Sequence, residues 1–214
     1  MNPDTLIVGA VPSSDARDFR TSLIRAADFV VAADAGLEVC LDAGRLPDLC
    51  VGDFDSVHSS ALESALEAGV VVERHPVEKD LTDLDLALDA VRARGLRGVA
   101  FTAVLGERLD HTLAALGTLM RAVDLGAVAI EPDVMVHPLD ARIRPSLVLE
   151  APVGATVSVL AATGSARVSL EGFRYPLLDT DVLPLSSLGV SNIATETVQR
   201  VTVSAGQVFV LVRS

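Results

Sequence analysis

The sequence predicts two domains of different class: a doubly wound, mostly parallel α/β sheet domain over residues 1–140, then a smaller antiparallel β-sandwich domain over residues 141–214. Three observations lead there. Short Val/Ile/Leu/Phe runs alternate with segments of 3.6-residue apolar period through the first part of the chain, the pattern of strands joined by covering helices. Carboxylates and glycines stand at the ends of those runs, where open α/β sheets gather ligands. Beyond residue 140 no long helical period survives, and alternating runs are separated by Gly, Pro, Ser and Asp turns.

Taken in order, the predicted strands of the first domain are 5–9, 29–33, 49–52, 70–73, 99–104, 127–130 and 134–137. Leu62 and Leu66 mark a helical stripe after the third run, and Leu84, Leu88 and Val91 another after the fourth. Thr82 with Asp85 three residues on has the form of a capping box, which starts that helix near Thr82. After the run at 99–104, Asp110 is the expected N-cap, with Leu113, Leu116 and Met120 on the buried side. The stretch PLDARIRPS at 138–146 holds the expected boundary, and the β domain follows with runs at 155–160, 166–170 and 200–212.

Composition removes several functions. The formal net charge of -12 lacks the basic footprint that nucleic acid or an anionic membrane surface requires. Aromatic content of 3% with no Trp argues against a base-stacking platform. No apolar run reaches the roughly 18 residues of a membrane span, and the first residues lack the basic start of a signal peptide, so a cytoplasmic protein is expected. Cys40 and Cys50 are the only cysteines and read as small buried hydrophobes.

The chemistry centres on VGDFDS, residues 51–56, in which Asp53 and Asp55 follow a strand end. Two carboxylates so spaced in a loop can turn toward one point and suit a hard cation such as Mg²⁺, although Asp and Gly are also ordinary turn residues. Asp34 and Gly36 follow the preceding strand, so two strand ends deliver carboxylates to one edge of the sheet. Asp83, in the first turn of its helix, can face that edge, whereas Asp85 shares a face with Asp89 and Arg92 and reads as structural. Lys79 and Arg108 are the nearby cations; the forked guanidinium suits phosphate oxygens, with Asp110 its alternative partner in a surface ion pair. His111 has no second ligand-type residue at metal spacing and reads as structural. Neither of the glycine-rich phosphate cradles nor a nucleophile elbow occurs. Carboxylates for Mg²⁺ beside cations for phosphate oxygens are what phosphoryl-type transfer needs.

Together AADAGL, LPDLCVGDFDS, EKDLTDLDLAL and GERLDH in the first domain, with GFRYPL, GVSN and GQVFVLVRS in the second, resemble the thiamine pyrophosphokinases of bacterial type. The resemblance implies an ATP-binding catalytic domain, a β domain contributing to the thiamine pocket, and a homodimer with active sites between subunits. It also implies Mg²⁺-dependent transfer of the pyrophosphoryl group of ATP to the thiamine hydroxyl, giving thiamine diphosphate and AMP. By motif, Asp53, Asp55 and Asp83 would be catalytic and handle the metal. Asp34, Gly36, Lys79, Thr82, Arg108 and Asp110 would serve ATP, and Ser191 and Asn192 thiamine.

The chain departs from the family pattern in the short LGERLDH stretch, which places Glu107 beside the phosphate loop, and in Ile193 where an acidic residue commonly follows SN. Two rival readings use the same residues: a Mg²⁺-dependent nucleotidyl- or pyrophosphoryl-transferase with another acceptor, and a thiamine-binding protein whose catalytic site has decayed.

Overall fold

A computed structural model describes residues 2–12, 16–78, 80–106 and 108–213, and divides the chain into two compact units, 1–132 and 133–214. In the first unit the strands are β1 (Thr5–Val8), β2 (Phe29–Ala33), β3 (Leu49–Gly52), β4 (Val71–Arg74), β5 (Val99–Thr102) and β6 (Val128–Glu131). Between them run helices α1 (Arg17–Ala26), α2 (Gly36–Asp42), α3 (Ser59–Glu67), α4 (Asp83–Ala93) and α5 (Leu109–Arg121). Every pairing among the six strands is parallel, in the order β6-β5-β1-β2-β3-β4. From β1 the chain winds outward to β4 and then returns past β1 to β5. With right-handed crossovers that reversal sends α1, α2 and α3 to one face and α4 and α5 to the other, the doubly wound arrangement. The strands β1, β2, β3 and β5 are nearly continuous apolar runs because both faces are covered: Leu6, Ile7, Val30, Val31, Leu49 and Phe101 are all buried.

The switch in winding direction falls between β1 and β5, and the backbone is tight there. A Cβ on Gly9 would lie 2.4 Å from the Ala103 carbonyl oxygen, and one on Gly36, which opens α2, 2.1 Å from the Val8 carbonyl oxygen. Only glycine admits both approaches. Cys40 on α2 and Cys50 on β3 are fully buried and unpaired, as the sequence implied, and burial pushes the Cys50 thiol up to about 12.

Two helices turn differently from the sequence expectation. Arg108, not Asp110, occupies the N-cap of α5, and Asp110 sits in its first turn. The buried face is Ala115, Leu119 and Met120, while Leu113 is 60% exposed. On α3, Ala65 is buried and Leu66 is 52% exposed. On α3 a small residue forms the contact and Leu66 flanks it, whereas on α5 Leu119 and Met120 pack beside Ala115 and Leu113 turns outward. The Thr82–Asp85 capping box is present, each side chain bonded to the other's backbone. Asp85, expected on a solvated face, is largely covered instead: besides its bonds with Thr82, its Oδ1 accepts from Thr118 Oγ1 and Arg121 Nη1 of α5, each at 2.7 Å.

The second unit is antiparallel: β7 (Val134–Asp140), β8 (Ser146–Leu149), β9 (Thr156–Glu171), β10 (Leu177–Val182), β11 (Asn192–Ile193) and β12 (Gln199–Arg213). The run at 134–137, expected in the first domain, begins β7 and pairs over seven residues with β12. Both β9 and β12 are long and irregular in register between Val203 and Val208. Their two halves line one core of Val157, Val159, Val168, Leu170, Val201, Val208 and Val210, so the layers are joined through bent strands. His137 on β7 is buried with neither ring nitrogen bonded among the described residues, and burial, helped by the Arg144 charge, holds its pKa down to about 4. Among the described residues no helix is long and apolar enough to cross a membrane.

Candidate active site

The first unit's carboxyl edge is built from residues in unusual backbone conformations. Asp34 after β2 (φ 47°), Phe54 after β3 (φ 62°) and Ala103 after β5 (φ 56°) are all left-handed. Each costs about 1 kcal/mol outside glycine, and such outliers gather at functional sites. The turn at Asp34 is fixed by two hydrogen bonds: its N–H donates to the Val51 carbonyl at 2.9 Å, and its Oδ1 accepts the Phe54 N–H at 3.0 Å. Gly52 leaves the room, since a Cβ there would lie 3.1 Å from the Asp34 Cα. In the next turn the Asp55 N–H donates to Asp53 Oδ1 at 3.1 Å, and Ser56 Oγ donates to Asp55 Oδ1 at 2.9 Å.

These turns bring one carboxylate oxygen each of Asp34, Asp53 and Asp55 within 4.8 Å of one another. Burial first, then the charges of Asp83 and Asp53, raise the Asp34 pKa against the pull of its backbone hydrogen bonds. Three hard oxygen donors gathered against their own repulsion fit a divalent cation such as Mg²⁺. The grouping takes in Asp34, which the sequence reading placed with the nucleotide. Asp83, at the start of α4, is close enough to act on Asp34 electrostatically.

Arg108 and Asp110 form a bidentate ion pair with N···O distances of 2.7 and 3.3 Å, both side chains exposed, and the guanidinium holds the Asp110 carboxyl down to about 2. The sequence left open whether Arg108 faces phosphate or Asp110; in this state it holds Asp110. Thr82 caps α4, Gly36 opens α2, and His111 is exposed in the first turn of α5. Lys79 and Glu107 lie outside the described residues. Arg74, at the end of β4, was not singled out in the sequence. Its guanidinium lies 5.4 Å from the Phe54 ring centre and its Nη1 donates to the Asp53 carbonyl at 3.4 Å. A cation one strand beyond VGDFDS, ending the run VVER, was the available signal.

In the second unit, Asn192 binds GFRYPL to GVSN. Its Oδ1 accepts the N–H of Tyr175 at 3.0 Å and of Ile193 at 2.9 Å, and its Nδ2 donates to the Tyr175 carbonyl at 2.7 Å. The side chain is buried, and Ser191 beside it is exposed, left-handed at φ 55°, with its N–H donating to Ser158 Oγ at 3.0 Å.

A parallel-sheet unit with a carboxylate cluster at its strand ends, followed by an antiparallel β unit, defines a two-part protein with a candidate cation site in its first part. Residues 20–129 match the family model described as thiamin pyrophosphokinase, catalytic domain, and residues 143–208 that of its vitamin B1 binding domain. The chain belongs to the thiamin pyrophosphokinase family. It is 33% identical over 93 residues to the thiamine pyrophosphokinase of Bacillus subtilis, covering 44% of each chain. It is 27% identical to thiamine pyrophosphokinase 1 of Arabidopsis thaliana over 74% of this chain and 62% of that one. The chain thus spans less than two thirds of either curated relative. In structure it resembles thiamine pyrophosphokinase from Bacillus subtilis (TM-score 0.82, 22% identity, 100% and 99% of the two chains). The same fold recurs in thiamin pyrophosphokinase from Geobacillus thermodenitrificans (TM-score 0.80, 23% identity, 100% and 98%).

Proposed function

We propose that the protein transfers the pyrophosphoryl group of ATP to the hydroxyl of thiamine, releasing thiamine diphosphate and AMP. The observation that carries this reading is the Asp34–Asp53–Asp55 grouping, which falls inside the stretch matched by the family's catalytic domain. The hydroxyl oxygen bonds to the β-phosphorus, the bond from that phosphorus to the oxygen bridging to the α-phosphate breaks, and AMP leaves with the bridging oxygen. A carboxylate of Asp53 or Asp55 accepts the hydroxyl proton. Asp34, Asp53 and Asp55, with Asp83 adjoining, would hold Mg²⁺, whose charge would offset that of the phosphates. Lys79, Thr82, Gly36, Arg108 and Asp110 serve the nucleotide, for which Arg108 exchanges Asp110 for phosphate oxygens. The second unit contributes Ser191 to the thiamine pocket, and Asn192 shapes that pocket through the Tyr175 backbone. In this reading the domain roles are ATP binding for the first unit and thiamine recognition for the second.

The protein acts as a cytoplasmic homodimer in this reading; for the dimer, Leu178, Leu183, Leu185 and Tyr175 stand well exposed on the second unit and suit cover by another copy. Light scattering showing a monomer at working concentration would count against it. Phosphorus NMR of ATP, Mg²⁺ and thiamine with the purified chain tests the reaction: AMP and thiamine diphosphate are expected. Pyrophosphate release, or thiamine binding without turnover, would overturn it in favour of nucleotidyl transfer or a purely binding role.

A further inference from the structure

We infer that the buried pair Arg20–Glu131 is a positioning device for the ATP-phosphate loop, acting by locking the loop after β5 to the loop after β1. Arg20 on α1 is 6% exposed and Glu131 at the end of β6 is 4% exposed, with Arg20 Nη2 and Glu131 Oε2 3.4 Å apart. Neither side chain acts only on the other. Glu131 Oε1 accepts two consecutive amides, Val104 at 2.8 Å and Leu105 at 3.2 Å, where left-handed Ala103 turns the chain out of β5. Arg20 Nη1 donates to the Val11 carbonyl at 2.6 Å, and the Val11 N–H donates to the Ala103 carbonyl at 2.9 Å. One chain of contacts therefore runs from β6 through the β5 loop to the β1 loop and back to α1. The two loops meet closely beyond it, since a Cβ on Gly106 would lie 2.4 Å from Val11 Cγ1. This is the point where the winding reverses, the crevice in which doubly wound sheets hold ligands. The segment so held leads directly into Arg108 and Asp110. An apolar pair could fill the same volume but could not accept those amides.

The inference rests on the proposed ATP chemistry, and its test separates the two. Glu131→Leu removes the acceptor of both amides along with the charge that opposes Arg20. The double variant Arg20→Met/Glu131→Leu removes both charges, and decides the matter if the single variant fails to fold. In full-length protein with unchanged far-UV circular dichroism, KM for ATP is expected to rise about tenfold and KM for thiamine to stay within about twofold. Hydrogen exchange of amides 104 and 105 should speed up while β1 and β2 keep their protection. Should the parent protein not turn over thiamine, the function reading fails alone, and exchange together with calorimetric ATP affinity still judges the loop. Equal rises in both KM values, or exchange that accelerates throughout the first unit, would assign the pair to general stability and overturn the inference.

Discussion

In the first unit, oxygens of Asp34, Asp53 and Asp55 crowd within 4.8 Å, held by left-handed turns, and burial, then the charges of Asp83 and Asp53, raise the pKa of Asp34. In the second, buried Asn192 and Gln199 each match backbone donors and acceptors, Gln199 by accepting the Ala151 N–H and donating to the Ala151 carbonyl, both at 3.1 Å. One region accumulates unfavourable energy that a cation or substrate can relieve; the other uses polar groups to close a structure on itself. The difference separates residues that do chemistry from residues that hold shape, even where both carry the same kind of atom.

The comparison breaks most readily at Asp55. Asp55→Asn should lower turnover by about a thousandfold with an unchanged circular dichroism spectrum, and near-normal phosphorus-NMR product formation would remove Asp55 from the site. Among the described residues of the second unit His137 is the exception, a buried polar ring with neither nitrogen hydrogen-bonded. Its folded pKa lies near 4, below the unfolded 6.5, so the unfolded chain binds the proton first and stability falls as pH drops through that window. The loss should reach about 3 kcal/mol, and His137→Leu should flatten it in melts run from pH 7 to pH 4. Asn192→Ala, which orphans three backbone groups around Tyr175, should cost about 2 kcal/mol in denaturant melts.

Smaller effects sharpen the contrast. Asp34→Asn keeps an acceptor for the Phe54 N–H but removes one of the crowded charges. It should raise the melting temperature without divalent ions by about 3 °C while lowering activity. A melting temperature that falls would mean that the cluster is not strained. Asp110→Asn removes an exposed ion pair and should leave the melting temperature within about a degree, with KM for ATP the quantity that moves.

Much of this was legible in the residues. The parallel strands showed as apolar runs because burial on both faces leaves little room for polar residues, and VGDFDS declared itself as carboxylates at a strand end. What escaped were facts of long range or of backbone conformation. The run at 134–137 has the texture of a parallel strand, and its true partner, β12, lies far along the chain. Asp34 was legible as a carboxylate at the same edge as Asp53 and Asp55, but not the positive φ that carries its oxygen into their group. Arg20 stood within the apolar stripe of α1, beside Leu23 and Ile24, a charge at a core position whose partner is 111 residues away. On α5 the spacing marks Met120 correctly as buried, but Leu113 misled because the packed face is rotated to Ala115 and Leu119.

Both thiols lie in the first unit, Cys40 on the helix after Asp34 and Cys50 on the strand before Asp53, and the second unit has none. With no surface exposure and, for Cys50, a pKa near 12, they are shielded from alkylating reagents while the parallel sheet stays closed. The chain thus carries an internal clock for one half of itself: the rate of thiol labelling reports how often the sheet beneath the carboxylates opens, whatever the antiparallel half is doing.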